Sequence, residues 1–236
     1  MKKVLLFALL ATCTHEAAQA QTTIGKGTGL VTGSIGYHTT TDEVSSPGTG
    51  YYGPYNSTVT YGTFKLDLAI GGFVANNLAL GLQISHSVTG GSVKSSSNNN
   101  PASPPTSTTL RLGPVVQYYK MLGEQFGLTG TFGAGYESDV RRSVQYYPSQ
   151  YGYPIASYSN LEATGYYAAI TPGIVFFPVP KFGLTATMGS LGYNHLSVKD
   201  KNQTGSNTSS QTASAFDAGF GFSQLQFGAT YYFGRK

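Results

Sequence analysis

The chain has 236 residues and a net charge of +4, and only 10% of its residues are charged, while Gly numbers 31, Tyr 18, Phe 13 and Trp none. Soluble domains carry about 25% charged residues, so a chain this poor in charge, with a mean hydropathy of only −0.12, fits neither an ordinary water-soluble domain nor a bundle of membrane helices. Its basic residues are scattered rather than gathered in a patch, which excludes a nucleic-acid footprint.

At the N-terminus, Lys2 and Lys3 precede the apolar run Val4 to Ala11, and a polar stretch follows that ends Ala18-Gln19-Ala20. A basic start, a short apolar centre and a small-residue cleavage site predict a secretory signal peptide over residues 1–20. The run is too short for a membrane helix, which needs ~20 apolar residues. Setting these residues aside removes Lys2, Lys3, Glu16 and the single Cys13, which leaves a net charge of +3. Residues 21–236 are expected to form one domain, since all-β barrels of ~200–250 residues are commonly single.

From there apolar and polar side chains alternate at period two, as on strands whose successive side chains face opposite ways. The first strand is expected near 27–38, with Val31, Ile35 and Tyr37 on one face. In 60–73, Phe64, Leu66, Leu68 and Ile70 oppose Tyr61, Thr63, Lys65, Asp67 and Ala69; in 78–89, Leu78, Leu80, Leu82, Ile84 and Val88 do the same. Pairing these two about Val74-Ala75-Asn76-Asn77 sets Leu68 opposite Leu82 and Leu66 opposite Ile84. Further strands are expected near 108–120, 125–138, 162–177, 181–196 and 215–233, with a bulge near Gly189-Ser190. Most exceed the ~9–11 residues that cross a hydrocarbon layer at a tilt. Pro114 and Pro172 fall inside strands, where each removes a ladder donor.

The connections alternate in length. Those around 74–77, 120–124 and 178–180 are short; those near 39–59, 90–107, 139–161 and 197–214 are long and polar. That is the arrangement of a transmembrane barrel, with short periplasmic turns and long extracellular loops. Two hairpins also repeat. Leu112-Gly-Pro-Val-Val-Gln-Tyr-Tyr with Phe126-Gly-Leu-Thr-Gly-Thr is echoed by Ile170-Thr-Pro-Gly-Ile-Val-Phe-Phe with Phe182-Gly-Leu-Thr-Ala-Thr.

On these hairpins, and on the closing Leu225-Gln-Phe-Gly-Ala-Thr-Tyr-Tyr-Phe233, the chain resembles the small outer-membrane β-barrels of the OmpA/OmpX type. The resemblance implies an all-β fold, an eight-stranded antiparallel up-and-down transmembrane barrel in the outer membrane of a Gram-negative cell. Its partners would then be outer-membrane lipids and, through the aromatic C-terminal strand ending at Phe233, the barrel-assembly machinery. Gly234-Arg235-Lys236 depart from the pattern by running past Phe233.

Lys65, Asp67, Arg111 and Glu137 share the inward face and are expected to neutralise one another in a filled lumen, since eight strands enclose room only for side chains. His38, His86 and His195 lie near the outer strand ends, where a His with a nucleophile and an orienting acid would support lipid-modifying chemistry; the local sequence supplies no such set. Tyr146, Tyr147, Tyr151, Tyr153 and Tyr158, with Tyr51, Tyr52 and Tyr55, offer amphipathic area suited to recognition of an extracellular ligand or to an interfacial collar. Gly25-Lys26-Gly27-Thr28-Gly29 neither follows a strand nor opens a helix, so it is no phosphate loop. The expectation is a protein without enzymatic activity, cofactor or metal, acting in envelope structure or surface interaction. A narrow channel and a lipid-modifying enzyme are the alternatives.

Overall fold

The computed structural model describes residues 23–46, 55–95, 105–148, 154–201 and 210–235; the expected signal peptide lies outside them. It is an antiparallel all-β fold of ten strands: β1 (Gly29–Ser46), β2 (Tyr55–Ala75), β3 (Leu78–Ser95), β4 (Thr106–Met121), β5 (Phe126–Pro148), β6 (Pro154–Val179), β7 (Phe182–Met188), β8 (Ser190–Asp200), β9 (Ser210–Gly219) and β10 (Leu225–Phe233). Strands β1 to β7 pair in chain order, β7 pairs with β10 and β10 returns to β1, so eight strands form a hydrogen-bonded ring. The β8–β9 hairpin stands on the upper part of β6, from Leu161 to Ile170. Among the described residues no helix is long and apolar enough to cross a membrane.

Ten strands appear where eight were expected because the last two are each broken. Gly189, at φ 87°, separates β7 from β8, and a single 3-10 turn at Phe222–Gln224 separates β9 from β10. A residue in the left-handed region cannot continue a pleated strand, and Gly adopts it without steric cost. The strands also reach well into the segments expected as long connections. The β5–β6 ladder runs up to Pro148–Pro154, so most of 139–161 is paired strand. In the upper part of β5 the apolar phase thins to Val140 and Val144, interrupted by Arg142, so the alternation is weak there.

The register of the β2–β3 hairpin differs from the expected one by two residues: Leu68 pairs with Ile84, Leu66 with His86 and Asp67 with Ser85. The turn centres on Asn76-Asn77 rather than on Ala75. Asn77 takes φ 64°, a conformation Asn tolerates better than other side chains. A two-residue shift preserves the facing, so apolar side chains still meet on one side. The two strand prolines sit where a ladder lapses. β4–β5 pairing skips Gly113 and Pro114, and Thr171-Pro172 lies between the β8-paired and β7-paired parts of β6. Each missing N–H therefore costs no ladder bond on that side.

The core sits inside the ring at the end that carries the short turns. Ile24, Leu30, Phe73, Ala79, Tyr119, Met121, Val175, Phe177 and Tyr232 form one buried cluster there. The chain before β1 is tied to the end of β2 and the β2–β3 turn. Ile24 N–H donates to Asn77 Oδ1 at 2.8 Å, Asn77 N–H returns to Ile24 O at 2.9 Å and Gly27 N–H reaches Phe73 O at 2.8 Å.

Candidate functional site

The inward face, followed from the turn end to the loop end, passes through three zones. At the base, aromatic rings interlock. Phe177 and Tyr232 lie 5.2 Å apart, Phe73 and Tyr119 5.4 Å, and Tyr119 meets Tyr232 edge-on at 6.3 Å. Arg235, just past the last strand, lays its guanidinium 3.9 Å from the Phe177 ring centre. Burial lowers its pKa, against a raising influence from the Tyr232 and Tyr119 hydroxyls. The guanidinium over the ring face is a cation–π contact and completes the seal.

Above the base the lining turns polar, because each strand continues its alternation with Thr, Ser, Gln and charged residues. Lys65 and Asp67, both on β2, form an ion pair at 3.4 Å. Gln226 of β10 bridges them, accepting from Lys65 Nζ at 3.2 Å and donating to Asp67 Oδ2 at 2.6 Å. Arg111 of β4 pairs with Glu137 of β5 at 3.0 Å, directly across the ladder, and its guanidinium lies 5.0 Å from the Tyr167 ring centre. The four charges expected in the lumen thus stand as two separate pairs. A cavity of about 110 Å³ is lined by Lys65, Asp67 and Arg111 among others. Ligand pockets usually exceed ~300 Å³, so this one suits water better than a ligand. Asp67 Oδ1 is buried there without a protein partner.

Several contributors were not singled out in the sequence. Asp139, whose side chain is 4% exposed, binds Arg141 at 2.7 Å and accepts from Thr109 Oγ1 at 3.2 Å. Asp139 continues the inward phase of Glu137, which is the signal that would have found it. Gln226 and Tyr167 are in the inward phase of their strands but carry no charge to draw notice.

At the loop end a second chamber, of about 260 Å³, is walled by His38, Lys65, Ser190 and Gln226 among others. The three histidines do not come together. His38 faces this chamber, with Nε2 2.8 Å from Thr40 Oγ1. His195 is exposed beside Tyr166 on the outer face, with Nδ1 2.8 Å from Ser214 Oγ, and His86 is exposed on β3. Among the described residues no group of His, Cys, Asp and Glu could hold a metal. Of the tyrosines proposed for recognition, Tyr146 and Tyr147 belong to β5 and Tyr158 to β6. Tyr151 and Tyr153, like Tyr51 and Tyr52, lie outside the described residues. Phe233 ends β10 on the outer face, 52% exposed and 4.9 Å from the Tyr231 ring.

The outer face is apolar and exposed. Phe126 pairs with Phe176, and Tyr136 pairs with Tyr166 ten residues higher on the same hairpin. Between these two aromatic rungs, Leu128, Gly130, Phe132 and Ala134 face Ile174, Pro172, Ile170 and Ala168, with no charged or hydrogen-bonding side chain among them.

No protein-family model and no curated protein matches the chain. Among solved structures it is similar to the outer membrane protease OmpT from Escherichia coli, at 13% identity and a TM-score of 0.34, over 89% of this chain and 95% of that one. The expectation of a protein without enzymatic activity is corrected by this match, because the similar structure is that of an enzyme, and that expectation is withdrawn. A likeness at this level assigns no activity to the chain.

Proposed function

We propose that the chain is a small outer-membrane β-barrel, of the OmpA/OmpX kind, whose eight-stranded ring spans the bilayer with its sealed base toward the periplasm and its long hairpins outside the cell. The pair of aromatic rungs carries this reading. Ten residues at about 3.4 Å each, tilted by roughly 40°, rise about 26 Å. That is the height of the apolar band of a transmembrane barrel, which aromatic girdles flank at both interfaces. A water-soluble protein rarely exposes so large an apolar belt.

The role that follows is presentation of surface. The interlocked base disfavours the narrow-channel alternative, because a conducting path would have to pass Ile24, Phe177 and Tyr232, all at most 2% exposed. The β5–β6 hairpin continues past Tyr136 to Pro148, about twelve residues or ~30 Å above the upper rung by the same rise and tilt. It brings Tyr146, Tyr147 and Tyr158 outside the membrane, where aromatic side chains suit recognition of an extracellular ligand. Outer-membrane lipids and, through Phe233, the assembly machinery are the expected partners.

Heat-modifiable migration tests the reading. Unboiled protein folded in detergent is expected to migrate differently from boiled protein in SDS gels and to fractionate with the outer membrane. Planar-bilayer recordings are expected to show no discrete conductance steps. Identical migration with recovery in the soluble periplasm refutes the barrel, and steady stepwise conductance refutes the seal.

A further inference from the structure

The wall of the ring is complete only in its lower part. Hydrogen bonding between β1 and β10 stops at Gly36–Gln226. Above this level, among the described residues, Tyr37–Ser46 of β1 is bonded to β2 alone and β9 is bonded to β8 alone. Three irregularities meet here: Gly189 at φ 87°, the 3-10 turn Phe222–Gln224, and the stretch Thr171-Pro172 of β6, which pairs with β5 but with neither β7 nor β8. The 260 Å³ chamber lies just inside, with Gly36, Gly189 and Gln224 in its wall. Around the gap Tyr37, Phe220 and Phe222 are 70%, 60% and 86% exposed.

The height of the gap matters. Gln226 stands seven residues above Phe233, a rise of about 18 Å at the usual pitch and tilt. The apolar band is about 26 Å tall by the same measure, so the gap begins inside it, on the side of the outer leaflet. An open sheet edge is untenable in hydrocarbon unless it lines a cavity that supplies hydrogen bonds. The chamber is such a cavity. Lys65 Nζ holds Asp67 and Gln226 and, with three N–H groups, has one left to give. His38, Thr63, Gln224 and Gln226 add further donors, and no Asp or Glu is among the described residues of the wall.

We propose that this gap is a lateral portal at which an anionic amphiphile of the outer leaflet seats its polar head in the chamber while its chain stays in the membrane, against Tyr37, Phe220 and Phe222. The inference rests on the barrel reading above and adds a ligand class to it. An apolar rim on a polar, donor-rich chamber matches the two halves of such a molecule, and the position within the band presents the chamber to lipid rather than to water.

The test uses the protein folded into vesicles of equal parts phosphatidylcholine and phosphatidylglycerol, released in mild detergent and weighed by native mass spectrometry. The expected result is retention of a single phosphatidylglycerol per chain. Ser190→Trp from β8 and Thr63→Trp from β2 fill the chamber and abolish retention; if one variant misfolds, the other decides. Lys65→Gln removes a charge-assisted hydrogen bond and weakens retention about tenfold, erasing the preference over phosphatidylcholine. Glycerol phosphate in excess leaves the retained lipid in place if the ligand is the whole amphiphile, and displaces it if a free anion suffices, which overturns the proposal. Wild-type protein without retained lipid, or filled variants that retain as much as wild type, also overturns it. Gel mobility is read on the same samples. A heat-modifiable protein without lipid refutes the portal alone, whereas a protein that never inserts refutes the barrel and the portal with it.

Discussion

Truncating Tyr232 tests whether the aromatic base holds the ring closed. Its side chain is fully buried, packed 5.2 Å from Phe177 and 6.2–6.3 Å from Phe73 and Tyr119 by ring centres, with the Arg235 guanidinium 5.7 Å away. An aromatic side chain buries roughly 150–250 Å², worth about 4–6 kcal/mol at ~25 cal/mol per Å² as an upper bound. Substitution series for buried aromatics give about 3–5 kcal/mol, so Tyr232→Ala is expected to cost about 4 kcal/mol. Tyr232→Phe removes a long hydrogen bond to Tyr119 Oη, at 3.3 Å, and the hydroxyl's hydrogen bond with Thr230, while Tyr119 keeps its bond to Gln117 at 3.1 Å. Its cost is expected at about 0.5–1 kcal/mol. Urea unfolding of vesicle-folded protein measures both, followed by gel mobility and tyrosine circular dichroism because the chain has no Trp. A Tyr232→Ala cost below about 1 kcal/mol, or equal costs for the two variants, would refute the packed base.

The same assay decides three further expectations. Arg111→Met leaves Glu137, 4% exposed at its side chain, without its partner; about 3 kcal/mol is expected, the low end for a buried pair because Arg111 is 32% exposed. Arg111→Met combined with Glu137→Leu is expected to recover most of that loss, and no recovery would argue against the pairing. Gly189→Ala drives a Cβ into the Gly219 carbonyl oxygen at a positive φ and is expected to cost more than about 1 kcal/mol. Gly90→Ala, with nothing within 4 Å of the new Cβ, is expected to be neutral or slightly stabilising. Asn77→Gly keeps the φ of 64° but loses the acceptor for Ile24 N–H; about 1 kcal/mol is expected, with faster hydrogen exchange at Ile24. Asn77→Ala loses both and is expected to cost more.

The outer face was legible in the sequence because every outward position between the rungs is apolar or small, so Leu128, Phe132, Ile170 and Ile174 alternate visibly with polar neighbours. The sealed base was not, for the same reason read backwards. Phe73, Tyr119, Phe177 and Tyr232 hold the inward phase at the bottom of strands whose inward phase is polar higher up, and periodicity reports a face without reporting height. The two-residue slip in the β2–β3 register arose because a shift of two leaves facing unchanged, so only the turn chemistry of Asn76-Asn77 distinguishes the registers. Strand extensions such as Thr39-Thr40-Thr41 escaped notice because both of their faces are polar. A bulge is anticipated at Gly189-Ser190 but the matching break at Phe222–Gln224 is not, although the outward phase passes there from even positions, Phe220 and Phe222, to odd ones, Phe227, Tyr231 and Phe233. Alternation assigns Lys65, Asp67, Arg111 and Glu137 to the inward phase; that they form two pairs depends on which strands neighbour one another, and alternation along one strand is silent on that.

Nitroxide scanning of β5 from Phe126 to Tyr136 addresses the membrane contact most directly, and the chain's single cysteine, Cys13, lies before the described residues. Labels at even positions are expected to show high oxygen accessibility and a depth profile that peaks near Gly130 and Phe132, midway between the rungs. Labels at odd positions, from Gly127 to Gly135, are expected to stay shielded from lipid. A flat profile, or high accessibility to a water-soluble relaxant at Leu128 and Phe132, would contradict a lipid-facing belt.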